Sequence, residues 1–146
     1  ELERVLVVLS EGLLSSKKFE EFVESSRDKV KEVIGLYAPE EEEVINELRE
    51  LGEDRKTILR VLRGYEKRRG KELIEKLTKL EEKEGVEVRL RVRRKPRLEA
   101  LFDIARREKL DLVVVHKELF KQTDVKLVSF IQELVRRLNV PVLILK

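Results

Sequence analysis

Short, uninterrupted apolar runs alternate along this chain with longer segments of helical periodicity. The runs at Val5–Leu9, Leu112–Val115 and Val140–Leu145 have strand length, and strands without polar alternation suit a sheet that is covered on both faces. Helical segments separate these runs, so the strands are joined by right-handed crossovers. The pattern predicts an α/β fold: an open parallel sheet with helices on both faces.

Two further segments complete a five-stranded sheet. Val33–Tyr37 forms a strand that Pro39 closes, and Val86–Val92 forms another in which apolar residues alternate with charged ones. Strict alternation indicates a strand with one solvated face, and charge on that face protects an exposed sheet edge. We therefore expect the strand Val86–Val92 at an edge.

The helical segments carry recognisable end signals. Ser15 or Ser16 is expected to cap the first helix. A short acidic helix is predicted over Glu40–Leu51, ending at Gly52. A longer helix is predicted between an Asp54 N-cap and a Gly85 C-cap. The remaining helices are centred on Leu98–Ala105 and Val128–Leu138, and internal Gly64 and Gly70 favour a break in the long helix.

Composition narrows the functional classes. The 146 residues suit one domain, and the absence of Cys together with a single His excludes disulfide scaffolds, zinc ribbons and multi-histidine metal sites. The formal net charge is only +3, which is no nucleic-acid signature by itself. No apolar run reaches the roughly 18 residues that span a bilayer. Few amides and no Met are typical of proteins from hot environments, so we expect a cytoplasmic protein of a hyperthermophile. Because the sequence opens on Glu1 and contains no Met, we also expect a trimmed or excised form of a longer product.

A family resemblance rests on core patterns. Gly85–Lys146 resembles the C-terminal half of the universal stress protein family through Asp111–Val115 and the closing Pro141–Lys146, and Arg4–Ser10 and Val33–Pro39 resemble its first two strands. The resemblance implies one domain over residues 1–146, with a helical insertion at about 40–52. It also implies the fold shared with the adenine nucleotide alpha hydrolases, with strand order 3-2-1-4-5.

The resemblance further implies a homodimer in which the fifth strands, Val140–Leu145, pair edge to edge. Such a nearly all-apolar edge would otherwise be prone to aggregation. We expect a binding or regulatory module and not an enzyme. Its partner is expected to be another protein or a membrane transporter to which such a domain is attached.

Family members that bind ATP carry an acidic residue after the first strand and a Gly-x2-Gly-x9-Gly-Ser/Thr loop after the fourth. This sequence has Ser10 at the first position and His116, Leu119 and Val128 at the glycine positions, with one residue fewer in the long spacer; only Ser129 keeps the expected type. Side chains at glycine positions obstruct backbone approach to phosphates. We therefore expect no cofactor and no standard ATP site.

Two alternatives to the binding module remain open. One is a nucleotide-binding switch or weak ATP hydrolase that takes ATP or AMP in an atypical pocket of Ser10, His116 and Ser129. The other is nucleic-acid binding by a basic cluster; this cluster consists of Arg89, Arg91, Arg93, Arg94, Lys95 and Arg97. The cluster contains no aromatic side chains for base stacking. A solvated edge is therefore the favoured interpretation, and nucleic acid is not the expected partner.

Overall fold

The computed structural model of the chain describes residues 2–9, 17–38, 52, 54–93, 96–117, 119 and 124–145. The five strands of these residues are β1 (Leu2–Leu9), β2 (Val30–Tyr37), β3 (Glu87–Val92), β4 (Leu112–His116) and β5 (Val142–Leu145). The four helices are α1 (Lys18–Ser25), α2 (Arg55–Glu84), α3 (Arg97–Arg107) and α4 (Asp124–Arg137). The predicted insertion at about 40–52 lies outside the described residues, except for Gly52.

All pairings in the sheet are parallel, and the strand order is β3-β2-β1-β4-β5. The predicted fold class and strand order are therefore confirmed. The first strand of the chain lies at the centre, where Val7 is flanked by Gly35 of β2 and Val114 of β4. The charged strand β3 occupies one edge, as its alternation predicts, and β5 occupies the other.

Alternation of side chains along the strands divides the core into two layers. One layer lies between the sheet and helices α3 and α4; its strand members include Leu6, Val8, Ile34, Leu36, Val113 and Val115. The other lies between the sheet and helices α1 and α2; its strand members include Val5, Val7, Leu9, Val33, Val88 and Val114. Because Val5–Leu9 of β1 are buried on both faces, their uninterrupted apolar run is what this position requires.

Helix α2 is continuous through Gly64 and Gly70, so the expected break is absent. Neither glycine adopts a positive φ, and the helical cost of about 1 kcal/mol for each is small for a helix of this length. Both predicted caps are present. The Asp54 side chain accepts from the Thr57 N–H at 2.8 Å, and Gly85 ends the helix with φ of 70°.

The start of α1 differs from the prediction. Its N-cap is Lys17, which makes no side-chain capping bond, whereas Ser15 and Ser16 lie outside the described residues. The first turn instead carries Glu20 and Glu21. Acidic side chains in a first turn interact favourably with the positive end of the helix dipole, so these two charges stabilise this helix end.

Candidate functional site

The strand order places the candidate site at the carboxyl end of the sheet between β1 and β4. The chain leaves β1 toward one side and β4 toward the other, and open α/β sheets bind ligands at such a reversal of strand order. The described residues that reach this edge are Leu9 of β1, His116 of β4, and Lys117 and Leu119 beyond it. The first predicted site residue, Ser10, lies outside the described residues.

His116 is the last residue of β4 and is 1% exposed. It lies opposite Leu145 of β5, and the Lys117 N–H donates to the Leu145 carbonyl at 2.9 Å. His116 lies two residues after Val114, so its side chain is on the same face of the sheet, the one that α1 and α2 cover. The imidazole is therefore part of a packed layer at the sheet edge.

The chain turns sharply after β4 and returns to the core. The Leu119 N–H donates to the His116 carbonyl at 3.0 Å. The Leu119 side chain is 3% exposed and belongs to the layer under α3 and α4. At this position, which corresponds to the second glycine of the ATP-binding pattern, a leucine thus anchors the loop in the hydrophobic core.

Ser129 and Val128 lie in the second turn of α4, and both side chains face solvent. Helix α4 buries Leu127, Phe130 and Leu134 against one face of the sheet, whereas His116 belongs to the other face. The structure therefore does not bring Ser129 and His116 together among the residues it describes.

Two arginines of the predicted basic cluster lie on β3, where acidic groups neutralise them, whereas Arg93 follows the strand and Arg97 begins α3. Arg89 forms hydrogen bonds to Glu87 at 2.7 and 2.9 Å and lies 3.3 Å from Glu32 Oε1. The hydrogen bond to Glu87, with the negative charge of Glu32, raises the pKa of Arg89. Arg91 lies 3.4 Å from Glu108. Arg94 and Lys95 are outside the described residues.

A charge network that the sequence did not reveal crosses the amino end of the sheet. Glu32 of β2 is 6% exposed, and its carboxylate accepts from Arg4 Nε of β1 at 3.1 Å and contacts Arg89 of β3. Next to it, Asp111 accepts from the backbone N–H groups of Glu3 and Arg4. These backbone hydrogen bonds lower the pKa of Asp111. The predicted strand starts at Val33 and does not include Glu32.

Other site classes find no support in the part of the chain that the structure describes. It contains no group of three His, Cys, Asp or Glu residues suited to a metal ion. None of the described helices is both long and apolar enough to span a bilayer. A depression of about 270 Å³ lies between α1 and the last turn of α2, and another of about 470 Å³ lies beside Gly85 at the amino end of the sheet. Neither includes His116 or Leu119.

Comparison with known proteins identifies the fold. Neither a protein-family model nor a curated protein matches the chain. The crystal structure of a hypothetical protein, PH0823, matches with a TM-score of 0.66 and 22% identity over 98% of this chain and 95% of its own. A universal stress protein family member from Burkholderia pseudomallei has a TM-score of 0.57 and 19% identity, covering 97% of this chain and 94% of its own.

A third structure, a universal stress protein from Archaeoglobus fulgidus, matches with a TM-score of 0.53 and 16% identity over 99% of this chain and 93% of its own. The chain therefore has the fold of the universal stress proteins. The resemblance stated from the sequence is confirmed at the level of the fold.

Proposed function

We propose that this chain is a universal-stress-protein-like binding or regulatory module that acts as a homodimer and has no standard ATP site. The observation that carries the proposal is the buried Leu119. A phosphate-binding loop needs backbone N–H groups turned toward the ligand and no side chain in the way. Here the Leu119 N–H is bonded to the His116 carbonyl, and the side chain fills the core.

The dimer proposal rests on the edge strand β5. Leu143 and Ile144 are 42% and 45% exposed, on opposite faces of this strand. Ile144 lies opposite Val115 and so shares the face that α4 covers. On that helix, Val128 and Val135 are 51% and 63% exposed, and their spacing of seven residues puts them on one side. Pairing around β5 would cover apolar groups of both the strand and the helix.

The outer edge of β5 has backbone groups that are oriented for such pairing. The carbonyls of Pro141 and Leu145 accept from β4, at 3.0 and 2.9 Å. In a parallel ladder the residues between them turn their backbone groups the other way, so Val142 and Ile144 present N–H and C=O groups to the open edge. A second β5 related by a two-fold axis can satisfy these groups.

Native mass spectrometry of the purified protein tests the nucleotide part of the proposal. We expect a dimer mass that stays unchanged when ATP, ADP or AMP is added at millimolar concentration. Stoichiometric binding of a nucleotide would contradict the proposal and support the switch or hydrolase alternative. Substitution of the predicted pocket residues, Ser10, His116 and Ser129, would then show whether they form the atypical pocket.

The same measurement on Ile144→Pro tests the dimer surface. Proline removes the outward N–H of residue 144 but leaves the ladder to β4 intact, as is usual for proline at an edge. We expect a monomer for Ile144→Pro and a dimer for the matched control Ile144→Val, which keeps the N–H. A dimer in both variants would place the subunit contact elsewhere.

A further inference from the structure

The first 17 residues of α2 carry a row of cations that is separate from the predicted basic cluster. We call it the basic stripe: Lys56, Arg60, Arg63, Lys67 and Lys71, all exposed. Their spacings of four, three, four and four residues place them on one face of a continuous helix. At 1.5 Å per residue, the stripe is about 22 Å long.

The basic stripe lies outside the buried face of α2. On α2, the side chains of Leu73, Leu77 and Leu80 are buried against the sheet. Ile74 and Thr78 continue the line of the stripe by steps of three and four residues, and both are exposed. The stripe therefore lies on an exposed flank of the helix, about 110° around its axis from the leucines that face the sheet.

Helix α2 is also longer than the sheet it covers. Its 30 residues span about 45 Å, whereas an eight-residue strand such as β2 spans about 26 Å. The helix ends at the amino end of the sheet, where Gly85 leads into β3. Its N-terminal part therefore reaches past the carboxyl end of the strands and presents most of the stripe as an exposed row.

No acidic side chain neutralises the stripe among the residues that the structure describes. Segment 55–72 contains eight Lys or Arg residues and two Glu residues. None of the five stripe side chains forms an ion pair with a described residue. The arginines of β3 differ, since Arg89 and Arg91 contact Glu87, Glu32 and Glu108. A row of uncompensated cations attracts a regular polyanion.

From this row we infer that the basic stripe binds the phosphodiester backbone of a nucleic-acid duplex, independently of base sequence. Phosphates recur about every 3.4 Å of duplex axis on each strand, and the strands wind around that axis, so a straight row crosses the backbones and its five cations can neutralise at most five phosphates. The stripe has no aromatic side chain, and single strands are bound largely by stacking on aromatic groups. A membrane surface fits less well, because helices on membranes insert apolar side chains beside their cations. Among the described side chains on the line of the stripe, Ile74 is the one apolar group.

The test measures fluorescence anisotropy of labelled 20-base-pair DNA and RNA duplexes of arbitrary sequence, in KCl between 50 and 200 mM. With five phosphate contacts, log K should fall with log[KCl] with a slope of about −4.5, so affinity drops about 500-fold over this range. The stripe variant combines Arg60→Gln, Arg63→Gln and Lys67→Gln. It should bind at least about tenfold more weakly at 50 mM KCl, with a slope smaller by about 2.7.

A matched variant removes the same charge elsewhere. It combines Lys29→Gln, Arg107→Gln and Lys109→Gln, at exposed positions near the amino end of the sheet. Both triple variants change the formal net charge from +3 to zero. We expect the matched variant to keep most of the affinity. Equal losses in the two variants would overturn the proposal, because net charge alone would then explain binding.

Failure of the wild-type protein to bind either duplex at 50 mM KCl would also overturn it. The proposal would likewise be overturned if the protein bound phosphatidylglycerol vesicles but neither duplex. Circular dichroism checks that the stripe variant keeps its helices. If it does not, the single variants Arg63→Gln and Lys67→Gln replace it, each expected to reduce the slope by about 0.9. None of these outcomes depends on the nucleotide or dimer measurements.

Discussion

Replacing Glu32 by Gln should destabilise the fold measurably, because this carboxylate compensates two arginines. Its side chain is 8% exposed and lies 3.1 Å from Arg4 Nε and 3.3 Å from Arg89 Nε. Removing one partner of a fully buried ion pair costs about 3–5 kcal/mol, whereas exposed pairs contribute about 0.2–1 kcal/mol. The two arginine side chains are 30% and 45% exposed. Since both reach water, we expect an intermediate loss of about 2 kcal/mol.

Urea unfolding at pH 7, followed by far-UV circular dichroism, measures this loss. In thermal unfolding it corresponds to a Tm lower by about 4–8 °C for a chain of this size. Glu3→Gln is the control, because that carboxylate is 75% exposed and lies 3.9 Å from Lys31; it should change stability by less than about 0.5 kcal/mol. If the loss of stability in Glu32→Gln is as small as in the control, the network does not stabilise the sheet and the reasoning is refuted.

Three further substitutions test local features. Gly35→Ala should destabilise by about 1–3 kcal/mol in urea unfolding, because the new Cβ would lie 2.8 Å from Leu9 Cδ1 inside the core; unchanged stability would show that Leu9 shifts freely. Asp111→Asn should lower stability at pH 7, because the pKa of this carboxyl is lowered in the folded protein and its ionised form therefore stabilises the fold above the unfolded pKa. The difference in stability from wild type should shrink as the pH falls below about 4. A pH-independent difference would contradict this. Asp54→Ala should shorten α2 at its N-terminus, seen as loss of amide-exchange protection at Thr57; unaltered protection would argue against the cap.

Periodicity predicted the strands because their burial is extreme. The apolar runs of β1 and β4 have few alternatives to a sheet buried on both faces, and the alternation in Val86–Val92 indicated an edge. The strand order itself came from the family resemblance and not from periodicity. The role of Glu32 could not be predicted, because a charged residue at the start of a strand resembles a loop residue in sequence. Its role becomes visible only when the neighbouring strands place Arg4 and Arg89 beside it.

The site was less predictable than the fold. The substitutions at glycine positions were visible in the sequence, but the burial of Leu119 depends on tertiary packing. The basic stripe was missed for a different reason. A break at Gly64 would rotate Lys56 and Arg60 relative to Lys67 and Lys71, so the row exists only because α2 continues through both internal glycines.

The central place of β1 also governs when this protein can fold during its synthesis. Backbone N–H groups of β1 bond to the Asp111 side chain over a separation of 107 residues, and β4 is made only after α3. Pairings over such sequence distances form slowly. Until Leu112–His116 have been synthesised, the apolar strand β1 lacks one of its two neighbours. The emerging polypeptide therefore presents a hydrophobic strand with one open edge, the kind of segment that chaperones shield.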